Sequence, residues 1–173
     1  YFKVAGKCTA NNVAMWDGTS WSALGSGVDG WVRALAIIGN DVYAGGYFTT
    51  AGGVSANRIA KWNGSTWSAL GAGVNGPYPS VYSLAVSGSD LYVAGQFTTA
   101  GGVSADNIAR WNGTSWSPLG SGLNSTVMAL AVSGGDIVAG GGFTTAGLVS
   151  ANCIARWNGS TWSALGSGIG GLS

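Results

Sequence analysis

Four tryptophans recurring at one place constrain this chain more than anything else in it. Trp21, Trp67, Trp116 and Trp162 each close the phrase Trp-Asn/Asp-Gly-x-x-Trp, at spacings of 46, 49 and 46 residues. Each belongs to a stretch that returns almost letter for letter. It reads FTTAGGVSANRIAKWNGSTWSALG at Phe48–Gly71, with copies at Phe97–Gly120 and Phe143–Gly166 and a more divergent one at Phe2–Gly25. A period of this length marks a repeat architecture, in which a unit that cannot bury its own faces stacks on its neighbours.

Between the copies lies a second recurring half: VRALAIIGNDVYAGGYF (Val32–Phe48), VYSLAVSGSDLYVAGQF (Val81–Phe97) and VMALAVSGGDIVAGGGF (Val127–Phe143). Apolar runs of about six residues, split by Gly-Asn-Asp, Gly-Ser-Asp or Gly-Gly-Asp, read as a hairpin of strands a and b. In the other half, NRIAKW and TWSAL flank Asn63-Gly64. Asn-Gly favours a tight hairpin turn because both residues tolerate positive φ, which supplies strands c and d. The Ala-Leu-Ala triplets are too short and too bounded by glycine to be helices.

An all-β chain with four short strands per period is therefore expected. Along strand a, Ala34 and Ala36 alternate with Leu35 and Ile37, so both faces are apolar, as suits sheets covered on both sides. This is the arithmetic of a β-propeller built of four-stranded antiparallel blades. The boundaries fall as a c–d half blade over residues 1–27, full blades over 28–73 and 74–122, and a third blade with a short tail over 123–173. Three full blades plus a half leave one a–b hairpin out of the count. Open blade edges tend to pair, so further blades of a longer chain or a second copy are the expected partners.

One residue order is more specific. A small doublet ends strand b (Gly45-Gly46, Gly140-Gly141, and Ala94-Gly95) and a long b–c loop follows. An aromatic ends strand c (Trp62, Trp111, Trp157) and Trp opens strand d. This order resembles the kelch repeat, with Trp where kelch has Tyr on strand c. The wording of the repeat is also similar to kelch-related repeats of secreted bacterial proteins and of fungal cortical-marker proteins. The resemblance implies a β-propeller but no single activity, since one fold hosts many functions.

Composition narrows the chemistry. The hydrophobic content of 46% argues against disorder. Seven Lys and Arg against six Asp leave a net charge of +1, so nothing attracts nucleic acid or an anionic membrane. No apolar run approaches the roughly 18 residues of a membrane span. The absence of His excludes Ser-His-Asp and Cys-His relays and the copper site of kelch-type oxidases. The carboxylates are Asp17, Asp29, Asp41, Asp90, Asp106 and Asp136. Asp41, Asp90 and Asp136 end the a–b turns, where turn preference accounts for Asp; calcium coordination is the alternative. No cofactor or metal is expected. Low Lys, no Glu and abundant Ser, Thr, Gly and Trp suit a secreted or cell-surface module.

The tryptophan pairs admit two readings: core residues packed between blades, or platforms for sugar rings, one site per blade. Lys61, Arg110 and Arg156 precede the strand-c Trp, with Met15 in the divergent copy. They stack on a neighbouring indole or cover the core with their stems. Cys8 and Cys153 are private to their copies and lack metal-ligand spacing; they are either two small buried thiols or a mutual disulfide. Asn63, Asn112, Asn124 and Asn158 open glycosylation sequons that would be used in a secreted eukaryotic protein, three of them coinciding with the Asn-Gly turns.

A ligand surface is expected where the repeats differ. The b–c and d–a loops share one end of a propeller, and Tyr47, Gln96 and Gly142 occupy one aligned position there. The insert Gly76–Ser80 sets Tyr78 between two prolines. Tyr47, Gln96 and Tyr78 are thus the candidate contacts. The expected function is a non-enzymatic extracellular scaffold or interaction module. A lectin-like carbohydrate-binding propeller is the alternative, and a segment of a larger enzyme with its chemistry elsewhere is the third reading.

Overall fold

A computed structural model describes residues 1–170; residues 171–173, the end of the expected tail, lie outside it. The described residues are strands, turns and loops, with no helix among them. Three four-stranded antiparallel sheets run in the order a-b-c-d. Sheet 1 comprises Trp31–Ile38, Asp41–Tyr47, Ile59–Trp62 and Trp67–Ala69. Sheet 2 comprises Ser80–Ser87, Asp90–Gln96, Ile108–Trp111 and Trp116–Pro118. Sheet 3 comprises Val127–Ser133, Asp136–Gly141, Ile154–Trp157 and Trp162–Ala164. Ahead of them, Ala14–Trp16 pairs with Trp21–Ala23 as an isolated c–d ribbon. Repeated antiparallel sheets of this kind fit a β-propeller-like fold, but the sheets do not close on one another.

Turn chemistry sets the strand ends. Each a–b hairpin closes over two residues, with Gly39, Gly88 or Gly134 first and at φ 60, 61 and 60. The c–d hairpins differ from expectation. Trp62 pairs with Trp67, so the connection is four residues long, and only Gly64 is left-handed, at φ 95. Asn63 acts through its side chain: Oδ1 accepts the amides of Ser65 at 3.0 Å and Thr66 at 2.8 Å. A side chain mimicking a backbone turn replaces the two-residue Asn-Gly turn. In the first copy Asp17 does the same with the amides of Thr19 and Ser20. Those backbone bonds, Ser20 foremost, hold its carboxyl well below the usual range.

Apolar clusters fill the spaces between successive sheets. Val13 and Leu24, which flank the ribbon, pack with Ala44, Ala60 and Trp67 of sheet 1. Tyr43 and Ile59 meet Val81 and Leu91, and Tyr92 and Ile108 meet Val127 and Ile137. Strand a of sheet 2 lies against strand a of both neighbours. Small residues permit that approach, since a Cβ on Gly45 would fall 2.5 Å from Val81 Cγ1. Within the full sheets Trp67, Trp157 and Trp162 are buried and Trp62, Trp111 and Trp116 half-buried. In the ribbon, Trp16 and Trp21 remain 51% and 45% exposed.

The basic residue before each strand-c Trp does not stack on an indole. Lys61 pairs with Asp41 at 3.0 Å, Arg110 with Asp90 at 3.4 Å and Arg156 with Asp136 at 2.7 Å. In sheet 1 the register sets Lys61 opposite Tyr43, two residues beyond Asp41, so the ion pair is a diagonal one. The hydrogen bond to Asp41 raises the Lys61 pKa. These partly exposed pairs contribute about 0–1 kcal/mol each. The turn aspartates are thus committed to cations in three separate sheets. No group of three or more metal-ligating His, Cys, Asp or Glu side chains occurs among the described residues.

Candidate functional site

The d–a and b–c loops meet at one end of the sheets, and a polar side chain joins them. Asp29 accepts the amides of Thr49 at 2.7 Å and Thr50 at 2.9 Å, and the Thr49 hydroxyl at 2.6 Å. Burial pushes the Asp29 carboxyl up, but these three bonds outweigh it and leave it below its ordinary range. Asn124 repeats the device in sheet 3, accepting the amides of Thr144 and Thr145 at 2.9 and 3.0 Å. Its Nδ2, the sequon nitrogen, donates to Thr144 Oγ1 at 2.9 Å.

Beside the Asp29 junction opens a cleft of about 680 Å³ lined by Tyr1, Asp29, Trp31, Tyr47, Thr49 and Arg58. Trp31 and Tyr47 are directly opposite residues of strands a and b. Their ring centroids lie 6.4 Å apart at 47°, and the residues are 50% and 51% exposed. Arg58 holds the back wall. Its backbone is left-handed at φ 65, its Nε donates to Pro79 O and its Nη1 to Phe48 O, both at 2.8 Å. Its guanidinium lies 4.6 Å from the Tyr47 ring centre. Both bonds and the stacking fix this cation, which a free surface arginine would not be.

Of the candidate contacts, Tyr47 stands in this cleft. Tyr78 and Gln96 line a second one of about 290 Å³, with Asn107 and Asn124. Tyr78 is exposed and Gln96 half-buried. Trp31, Arg58 and Asp29 were not singled out from the sequence as contacts. One signal for Trp31 was present: it lies outside the paired series, and the aligned residues are Ser80 and Thr126. Arg58 likewise stands where the other copies carry Asn12, Asn107 and Cys153. Cys8 and Cys153 are both free thiols, each half-buried, on the first b–c hairpin and on the b–c loop of sheet 3.

No family model and no curated protein matches this chain. Among solved structures, the crystal structure of the computationally designed Ika8 protein is similar over 74% of the chain, at 20% identity and a TM-score of 0.47. The chain spans about a third of the length of that protein, 33%. A likeness of that size carries no argument here.

Proposed function

We propose that this chain is a non-enzymatic, extracellular propeller module of kelch-like type that recognises a partner through the Trp31–Tyr47 cleft. One observation carries the reading. Two half-exposed aromatics with a fixed cation behind them stand where the repeats diverge, on a scaffold that otherwise repeats. Aromatic residues and Arg are what interface centres enrich, and binding residues gather on loops held by rigid sheets. The sequence lacks His, so histidine-dependent relays play no part. The test transplants the residues of sheet 2 into sheet 1. Trp31→Ser with Tyr47→Gln should keep the fold, because Ser80 and Gln96 already fit those places, and should abolish the partner capture that the wild-type protein shows. Undiminished capture would refute the site.

A second reading, favoured by the chemistry of the same walls, is a saccharide ligand. The C–H face of a sugar ring stacks on Trp or Tyr while carboxylate and guanidinium bond its hydroxyls. Asp29 and Arg58 flank the two rings in that sense. A quaternary ammonium is disfavoured, because the Arg58 guanidinium already sits over Tyr47. Glycan-array binding that vanishes in Trp31→Ser, with no calorimetric response to choline, is the expected result. Choline binding, or glycan binding indifferent to Trp31, would reject this reading.

A further inference from the structure

The ribbon Ala14–Trp16/Trp21–Ala23 has a bare inner edge. Strand c pairs with strand d on one side and with no strand on the other among the described residues. In every full sheet that second edge is taken by strand b: Val42–Gly45 on Ile59–Trp62, Leu91–Ala94 on Ile108–Trp111, and Ile137–Gly140 on Ile154–Trp157.

Next to the bare edge is a bare face. Leu35 pairs with Ala44, and Ala44 with Ala60, so the three share one face of sheet 1. The ribbon covers Ala44 and Ala60 through Val13 and Leu24. It stops short of strand a, where Leu35 and Ile37 are 54% and 64% exposed. Their counterparts Leu84 and Val86 are half-buried in one cluster with Ala36, Ile38 and Tyr43 of the preceding a–b hairpin. Edge and face together form a step that lacks one two-stranded element.

We propose that this step is an acceptor groove for a β-hairpin carried by a polypeptide segment outside these 173 residues. The outer strand of that hairpin pairs with Ala14–Trp16, and its inner strand lies over Leu35 and Ile37. Added main-chain bonds supply affinity and the apolar face supplies register. The occupant is of the chain's own a–b type, because the chain solves the same packing problem with such hairpins between sheets 1 and 2 and again between sheets 2 and 3. A second copy has none to spare: the hairpins Trp31–Tyr47, Ser80–Gln96 and Val127–Gly141 are all paired with their own c strands. Met15 refines the occupant further. It stands where Lys61, Arg110 and Arg156 meet the turn aspartate, so a hairpin docking here carries a neutral residue in place of that Asp. This inference rests on the packing between sheets and not on the aromatic cleft.

The probe is a synthetic peptide with the sequence of residues 30–48 carrying Asp41→Asn, added to the full chain. Saturable 1:1 binding is expected, with new hydrogen-exchange protection at the amides of Ala14 and Trp16, which face the open edge, while the Met15 amide faces Ser22 of strand d. Leu35→Asp and Ile37→Asp, both at exposed positions, should each weaken binding by about tenfold or more, since they bury a charge against the hairpin. The exchange result needs no variant and therefore stands whether or not these fold. Absence of new protection at Ala14 and Trp16, or wild-type affinity in both variants, would overturn the proposal. So would protection of those amides in the free chain on raising its concentration to the point of dimerisation, which would make a second copy the occupant.

Discussion

The indole N–H of Trp67 donates a 2.7 Å hydrogen bond to the carbonyl oxygen of Leu24, which lies just past the last strand of the preceding unit. Trp116 and Leu70 repeat the bond at 2.8 Å, and Trp162 and Leu119 at 2.9 Å. Only Trp combines so large an apolar body with an N–H at its tip, so the recurring residue both fills the space between sheets and fixes their spacing. Trp67→Phe keeps most of the bulk and loses the bond. The Leu24 carbonyl retains the Gly27 amide as donor, so the expected loss is about 1–2 kcal/mol. Trp21→Phe, in an exposed ring, should stay within about 0.5 kcal/mol. Denaturant unfolding of the two variants compares them, and equal losses would argue against the tether.

A stabilising substitution is also expected. Asn12, Arg58, Asn107 and Cys153 share a left-handed backbone, at φ 64, 65, 64 and 62. Asn12 accepts the Phe2 amide at 3.1 Å and donates to Val28 O at 2.8 Å. Asn107 does the same with Phe97 at 3.3 Å and Leu123 at 2.8 Å. Cysteine offers neither bond and tolerates this backbone less well. Cys153→Asn should therefore bond the Phe143 amide and the Ile169 carbonyl and stabilise by about 0.5–1.5 kcal/mol. A melting temperature that does not rise would contradict the equivalence of the four loops.

The c–d turn isolates a backbone effect. Gly113 has φ 97, and a Cβ built there meets nothing within 4 Å. Gly113→Val thus meets no obstacle at Cβ and tests backbone strain, with an expected cost of about 1–3 kcal/mol. An unaltered unfolding curve would show that the loop relaxes freely.

Acid should loosen the loop junction. Hydrogen bonds from Thr49 and Thr50 depress the Asp29 pKa in the folded chain against the contrary push of burial. A depressed carboxylate stabilises the fold above its ordinary value of 3.8, and that contribution is lost as pH falls below it. Asp29→Asn reproduces the uncharged device of Asn124 and should flatten the fall in stability below about pH 4. Asp17 contributes to the same fall in both proteins, so the difference between wild type and variant is the quantity to measure. Parallel acid limbs would exclude Asp29 as a source.

How far the sequence reaches is clearest where identical words meet different fates. Strand positions, the repeat period and the two turns per unit were legible, because alternation and Gly or Asn turn chemistry act between residues a few positions apart. Asn63 shows the limit of that range: its presence announced a turn, but the four-residue loop follows from the pairing of Trp62 with Trp67. The Lys61–Asp41 bridge and the Arg58 bond to Pro79 span 20 and 21 positions; strand register brings the first pair together, and the packing of sheet 2 on sheet 1 the second. The Trp31–Tyr47 cleft likewise exists only because a bulge-bearing strand a sets those two rings opposite each other. Burial depends on what covers a residue, and no motif encodes its cover. Trp16 and Trp62 end the same strand of the same repeat, yet Trp16 is exposed and Trp62 half-buried, because Val13 and Leu24 of the preceding unit pack with Trp62 and no such unit covers Trp16 among the described residues. The repeat itself was written in the sequence; which of its copies present open surface was decided by the stacking of sheets.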